Sequence, residues 1–261
     1  MDSKDVKAAS RSAGDHPALE SAARAGYAVN GLLHIVIGVI ALQLAWASSA
    51  SSADQSGALG TLSENPLGKV VLWVAVVGWL GLGLWQVTEA ITGSSETGER
   101  VKAAAKAVVY LVLSWSAFTF AKGGSSSSKK QSTDFTTTLM GQPFGVWLVG
   151  AVGVAVVAVG GYHVFKGAKK KFLEDLESRP GRWVVRAGQF GYVAKGVALA
   201  IVGGLFVVAA VRHQPNEAKG LDGALRTLLG APYGQALLTV VALGLIAYGV
   251  YSLGRARHAD V

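Results

Sequence analysis

Three times along this chain a long apolar helical run is followed, at a matching distance, by a second one. The odd runs begin near Asn30, Lys106 and Lys195, and the even runs just after Pro66, Pro143 and Pro232. A bilayer core about 30 Å thick needs roughly 20 apolar residues of helix, each rising about 1.5 Å. Six segments meet that length: 26–47, 68–90, 103–121, 144–166, 188–211 and 232–253. Helix is the only secondary structure open to them, because no water in the bilayer core can satisfy a backbone N–H or C=O. A barrel strand would alternate polar and apolar residues, and stretches such as Val152 to Val159 do not. The expectation is an all-α integral membrane protein, with six transmembrane helices as three two-helix repeats. The repeats cover 21–95, 96–172 and 173–261, after a polar tail at 1–20 expected to be disordered.

Composition agrees. Hydrophobic residues make up 51% of the chain and charged residues 15%, where a soluble domain carries about 25% charged. The absence of cysteine excludes disulfides, thiolate metal sites and thiol nucleophiles. Basic residues precede the first run, and Ala45-Trp46-Ala47 resembles a signal-peptide cleavage site. That run is longer than a signal core, however, and its counterpart from Tyr192 onward lies deep inside the chain, so it reads as a retained span.

Lys and Arg in short loops resist translocation and therefore set orientation. Sixteen, Lys106 among them, fall on the side that carries both termini and the 91–106 and 166–187 segments; seven fall on the other, and Lys195 lies within the fifth span. Both the N- and C-termini are therefore expected to be cytoplasmic. The net charge of +8 follows from topology and from attraction to anionic inner-leaflet lipid, and no nucleic-acid partner is needed to explain it. The cluster Lys166, Lys169, Lys170 and Lys171 reads either as a stop-transfer anchor or as a lipid-headgroup site.

The repeats can be aligned through the chain. Asn30-Gly31, Lys106-Ala107 and Lys195-Gly196 correspond, and seven residues later so do Gly38, Ser114 and Gly203. Seven residues is two helical turns, so the small residues form a packing stripe on each odd helix. In the even helices Pro66, Pro143 and Pro232 are expected in the first helical turn. Nineteen residues on, Trp85, Tyr162 and Tyr251 are expected at the inner interface. Between the spans of each repeat, on the outer side, a short amphipathic connector helix is expected. The third is clearest: Leu221, Leu225, Leu228 and Leu229 share a face, with Asp222 and Arg226 turned elsewhere. The low-complexity stretch Gly123 to Lys130 is expected to be mobile.

Gly26-Tyr27, Gly191-Tyr192, the segment Gly223-Ala224-Leu225-Arg226-Thr227-Leu228 and the turn Ala231-Pro232-Tyr233-Gly234 are similar to the three-repeat, six-span actinobacterial membrane family catalogued as domain of unknown function number 1206. The resemblance covers the chain beyond about residue 20 and is strongest in the first and third repeats. The second has Ala107 in place of glycine and lacks the aligned tyrosine. The resemblance implies a six-span bacterial plasma-membrane protein and supplies no reaction, substrate or catalytic residue.

Polar groups inside the spans are the remaining functional signal, because ionisable side chains in lipid are costly. The column Asn30, Lys106 and Lys195 is a candidate ligand-binding site for an anion. Its lysines alternatively snorkel to the inner headgroups. Glu89 either neutralises Lys106 or Lys195 or serves a proton relay. His34 and His163 lie about 13 Å and about 5 Å from the inner boundary by helical rise, depths that do not match for axial haem ligation. No catalytic constellation, metal-spaced cluster or cofactor loop is present: Gly81 and Gly83 lie within an apolar span, and Ser114 and Ser116 have no base at their depth. The function expected is therefore non-enzymatic, through interaction with membrane lipid or a membrane partner. The alternative is a transporter or channel for a small anionic solute that uses Asn30, Lys106 and Lys195.

Overall fold

A computed structural model describes residues 17–47, 51–92, 97–175 and 181–258. Among the described residues there are nine α-helices and no strand. They are α1 Pro17–Trp46, α2 Gln55–Ser63, α3 Pro66–Thr92, α4 Thr97–Ala121, α5 Ser128–Met140, α6 Gly145–Ala168, α7 Arg182–Arg212, α8 Gly220–Leu229 and α9 Gly234–His258, with 3-10 turns at Lys171–Asp175 and Pro215–Glu217. Each repeat is thus a long helix, a short one and a long one. The six long helices are all apolar enough to cross a bilayer, so the chain is a six-span membrane protein. Their outward faces carry large apolar side chains such as Val70, Val108, Trp115, Val154 and Leu243, which only a lipid environment accommodates.

Three local expectations are corrected. The first helix starts at Pro17, so 17–20 are helical rather than part of a disordered tail: proline suits the first helical position, and the alanines and leucine next in the chain are strong helix formers. Residues 1–16 lie outside the described residues. The stretch Gly123 to Lys130 is ordered at its end, where Ser127 caps α5 by accepting from the Lys130 N–H at 3.3 Å. Of the three prolines, only Pro66 sits in the first helical turn, where Asn65 Oδ1 accepts from the Gly68 N–H at 2.8 Å. Pro143 and Pro232 stand ahead of α6 and α9, because Gln142 and Ala231 replace the capping asparagine. There the chain turns through Phe144 (φ 60°) and Tyr233 (φ 59°) in the left-handed region.

Contacts sort into two compact units, one of residues 1–30, 59–126 and 255–261 and one of 31–58 and 127–254. In the first unit α3 packs on α4, and Ser114 Oγ donates to the Val76 carbonyl at 2.9 Å. Gly26 of α1 lies so close to Gly78 of α3 that a Cβ on Gly78 would fall 2.6 Å from the Gly26 nitrogen. In the second unit α6 packs on α7. A Cβ on Gly153 would lie 2.8 Å from the Gly203 oxygen, and one on Gly160 2.7 Å from the Gly196 oxygen. In the same unit the later half of α1 packs on α9 by the same device, with Gly31 against Gly249 and Gly38 against Ala242, each 2.8 Å from Cβ to carbonyl oxygen.

These three interfaces are equivalent. Counted from Gly68, Gly145 and Gly234, the even-helix contact residues Gly83, Gly160 and Gly249 stand at one position, and Val76, Gly153 and Ala242 at another. Gly160 and Gly249 face Gly196 and Gly31, Gly83 meets Leu111 one turn beyond Ala107, and Val76, Gly153 and Ala242 face Ser114, Gly203 and Gly38, the stripe on the odd helices. Each even helix therefore packs on the odd helix of the next repeat, and the last on the first. Where serine replaces glycine, its hydroxyl takes the neighbouring carbonyl as partner.

The connectors between the two long helices of each repeat meet within the second unit. Ala53 N–H donates to Asp222 Oδ1 at 2.9 Å, Ser128 N–H to Ser56 Oγ at 3.2 Å, and Ser56 Oγ to Asp54 Oδ1 at 2.6 Å. Asp222, expected on the outward face of α8, is buried at 5% exposure and bonded by Arg226 Nε at 2.8 Å. Its carboxylate is needed inside, where it meets an amide of another repeat.

Gly160 and its neighbour Gly161 separate packing from composition. A Cβ on Gly161 would meet nothing within 4 Å. Gly160→Ile is expected to lower stability by about 1–3 kcal/mol through overpacking and Gly161→Ile to leave it unchanged, as read by thermal unfolding in detergent; equal loss in both would refute the close helix contact.

Candidate functional site

The densest side-chain chemistry lies where the C-terminal ends of α6 and α9 meet the N-terminal half of α7 in the second unit. The turn after α6 passes through Lys170 in the left-handed region (φ 57°) and carries Phe172 back into the protein, where it is fully buried. Its ring stacks on Tyr192 at 5.2 Å and meets Tyr251 edge-on at 5.0 Å. Tyr251 Oη donates to the Phe172 carbonyl at 3.2 Å. Tyr192 also meets Tyr248 edge-on at 5.2 Å. Gly188 leaves the room: a Cβ there would lie 2.6 Å from the Phe172 ring. Tyr251, expected at the inner interface with Trp85 and Tyr162, is instead a core residue, whereas Tyr162 is exposed.

Basic groups surround this aromatic core. Lys195 Nζ sits 4.1 Å from the Tyr248 ring centroid and Lys166 Nζ 5.7 Å from that of Tyr192, both within the range of an attractive cation–π contact. The His163 ring stacks on Tyr192 at 5.7 Å, and His34 packs on Tyr248 at 4.7 Å. His163 Nδ1 lies 2.8 Å from the Val159 carbonyl. A carbonyl only accepts, so Nδ1 carries the proton and Nε2 is left for another partner. The two histidines that differ in depth along their helices thus lie against two rings of one cluster.

The residues expected to form a site divide. Lys195 and Lys166 are half-buried within this cluster, while Lys169, Lys170 and Lys171 are exposed, with Lys171 Nζ 5.4 Å from the Phe165 ring. Asn30 is half-buried, and Lys106 is exposed on α4. Glu89 is exposed as well, and among the described residues no ion pair joins it to Lys106 or Lys195. An exposed carboxylate near the C-terminal end of α3 needs no such pairing, because it is open to solvation.

The pairing of basic group and tyrosine was hidden from a reading of single spans. Arg255 of α9 lies over Tyr27 of α1 at 4.7 Å, and this pair matches Lys166 over Tyr192 position for position. At the third equivalent interface the two places hold Glu89 and Ala103. The interface that lacks the ring also lacks the cation, a correlation visible in the sequence once even helices are matched to the odd helix of the next repeat.

The family described as Domain of Unknown Function (DUF1206) matches this chain at residues 25–93, 101–170 and 190–259. A relative from Bacillus subtilis (strain 168), described as "Uncharacterized protein YxxB", is 30% identical over 249 residues, covering 91% of this chain and 90% of its own. Its source gives no support to the actinobacterial part of the resemblance. No solved structure matches. With three matched segments that together span most of its length, each holding one long–short–long helical repeat, the chain belongs to the DUF1206 family.

Proposed function

We propose that this is a non-enzymatic multi-pass protein of the bacterial plasma membrane, with both termini cytoplasmic, that acts by holding anionic inner-leaflet lipid against the inner ends of α6 and α7. The observation that carries this reading is Lys195. Lys195 is half-buried, its Nζ lies 4.1 Å from the Tyr248 ring centroid, and among the described residues no carboxylate pairs with it. A phosphate provides the missing counter-charge. Lys195 and Lys166 would donate to its oxygens, with His163 Nε2 as a third polar group, while exposed Lys169 and Lys170 raise the local concentration of anionic lipid.

Transport of a small anion through Asn30, Lys106 and Lys195 has less support, because Lys106 lies on the surface of α4 rather than in an interior path.

Purified protein titrated with phosphatidylglycerol should gain thermal stability that phosphatidylcholine does not give, on the order of 2–3 kcal/mol at about 100 times the dissociation constant. The Lys166→Gln, Lys195→Gln double variant should lose most of that gain, and Lys169→Gln only a minor part. Equal stabilisation by the two lipids rejects the reading. For orientation, single cysteines replacing Arg100 and Ser125 should label from opposite sides of the membrane in intact cells, Ser125 from outside; labelling of both from outside contradicts cytoplasmic termini.

A further inference from the structure

The outer halves of the three equivalent interfaces are closed in different ways. Between α9 and α1, Gln235 Nε2 donates to the Ala45 carbonyl at 3.0 Å, and Trp46 Nε1 to Thr239 Oγ1 at 3.0 Å. Between α3 and α4 the place of Thr239 is taken by Trp73, whose ring meets Phe118 edge-on at 5.9 Å. Lys122, in the place of Trp46, lies 5.3 Å from the same Phe118 ring. Between α6 and α7 the corresponding residues are Val146, Gly150, Ala210 and Val211. None has a polar side chain, and Gly150 stands where the sister interfaces have threonine or tryptophan. A groove of about 780 Å³ results.

Val146, Val154, Val207 and Ala210 are among the residues that line it, and Gln142 and His213 supply polar groups at its rim. From Phe144 at the rim to Val154 is ten residues, or about 15 Å of helix. That is about half of a 30 Å hydrocarbon core, the depth of one leaflet. The groove runs directly into the outward face of α6, where Trp147, Leu148 and Val154 are exposed and hydrocarbon is the solvent. Its apolar wall gives ordered water few partners.

We propose that this groove is a binding site for one acyl chain of an outer-leaflet lipid, whose headgroup lies beside Gln142 and His213. It is distinct from the inner-leaflet reading above, being at the other end of α6 and α7 and selecting a chain rather than a charge. The second repeat has in effect exchanged a protein side chain for a lipid one.

Native mass spectrometry of the full-length protein extracted from membranes tests this. A side chain at Gly150 is sterically open, since its Cβ would meet only the Ala210 Cβ at 3.6 Å. Wild type should retain one diacyl lipid. Gly150→Trp, which imitates Trp73, and Val211→Trp, which imitates Trp46, should each lower lipid occupancy about tenfold, while Gly161→Trp on the open face of α6 retains it. Unchanged occupancy in both groove variants, absence of lipid from wild type, or a wild-type dimer that both variants convert to monomer would each overturn the proposal. Should neither variant fold, photo-crosslinking of wild type with a diazirine-acyl phospholipid decides: labelling concentrated in 144–154 and 207–213 supports the site, and labelling equal to that of 67–77 refutes it. Inner-leaflet titration with phosphatidylglycerol is unaffected by Gly150→Trp, so failure here leaves the Lys195 reading standing and the converse.

Discussion

The close approach of backbone to backbone at small residues is the contact on which the rest of this structure depends. In lipid there is little hydrophobic gain from burying one apolar helix against another, so association relies on van der Waals contact and interhelical hydrogen bonds. Gly153 with Gly203, Gly160 with Gly196, and Gly31 with Gly249 bring helices within reach of each other's carbonyls. Ser114 reaches the Val76 carbonyl at an equivalent place. Because these pairs recur at fixed repeat positions, one packing solution serves three times.

The spans and their triplication were legible in the sequence because hydrocarbon imposes length and apolarity directly on each segment. The stripe of Gly31, Gly38, Gly196 and Gly203 also revealed which face of an odd helix packs. It could not reveal the partner. A repeat drawn as a hairpin suggests that its own two helices share that stripe, whereas the stripe meets the even helix of the preceding repeat, the last repeat meeting the first. The aromatic core was illegible for the same reason, since Phe172, Tyr192 and Tyr248 come from three separate elements. Asp222 shows a different limit. An i, i+4 pattern sorts residues by polarity, and a carboxylate turned inward to accept the Ala53 amide breaks that sorting without leaving a trace in the local sequence.

Divergence of the second repeat gives the molecule its asymmetry. With Gly26 and Gly78 in the first repeat and Gly191 and Gly244 in the third, odd and even helices carry matched small residues; the second has Lys102 and Ala155 there, both exposed. The α6 span is the least enclosed of the six, with 17% of its most apolar window buried against 50% for α9. A helix that offers so little surface to its own protein offers the more to lipid. Both candidate lipid contacts accordingly involve α6, one at each end.

The two ends differ in what they ask of a lipid. At the proposed inner site the recognition elements would be charges held on rings, where a lysine half-withdrawn from water keeps part of its desolvation cost until an anion arrives. At the outer end there is no charge to satisfy, only volume left by Gly150 and Val211. A charge site discriminates by headgroup and is weakened by salt, because screening shortens the reach of Lys166 and Lys195. A groove discriminates by chain and is indifferent to salt. Ionic strength therefore separates the two contributions in one protein: between about 0.05 M and about 0.5 M salt, where the Debye length falls from roughly 14 Å to roughly 4 Å, the inner-leaflet preference should decline while the acyl-chain occupancy holds. A joint decline would mean that both lipids are held by charge and that the apolar groove contributes nothing of its own.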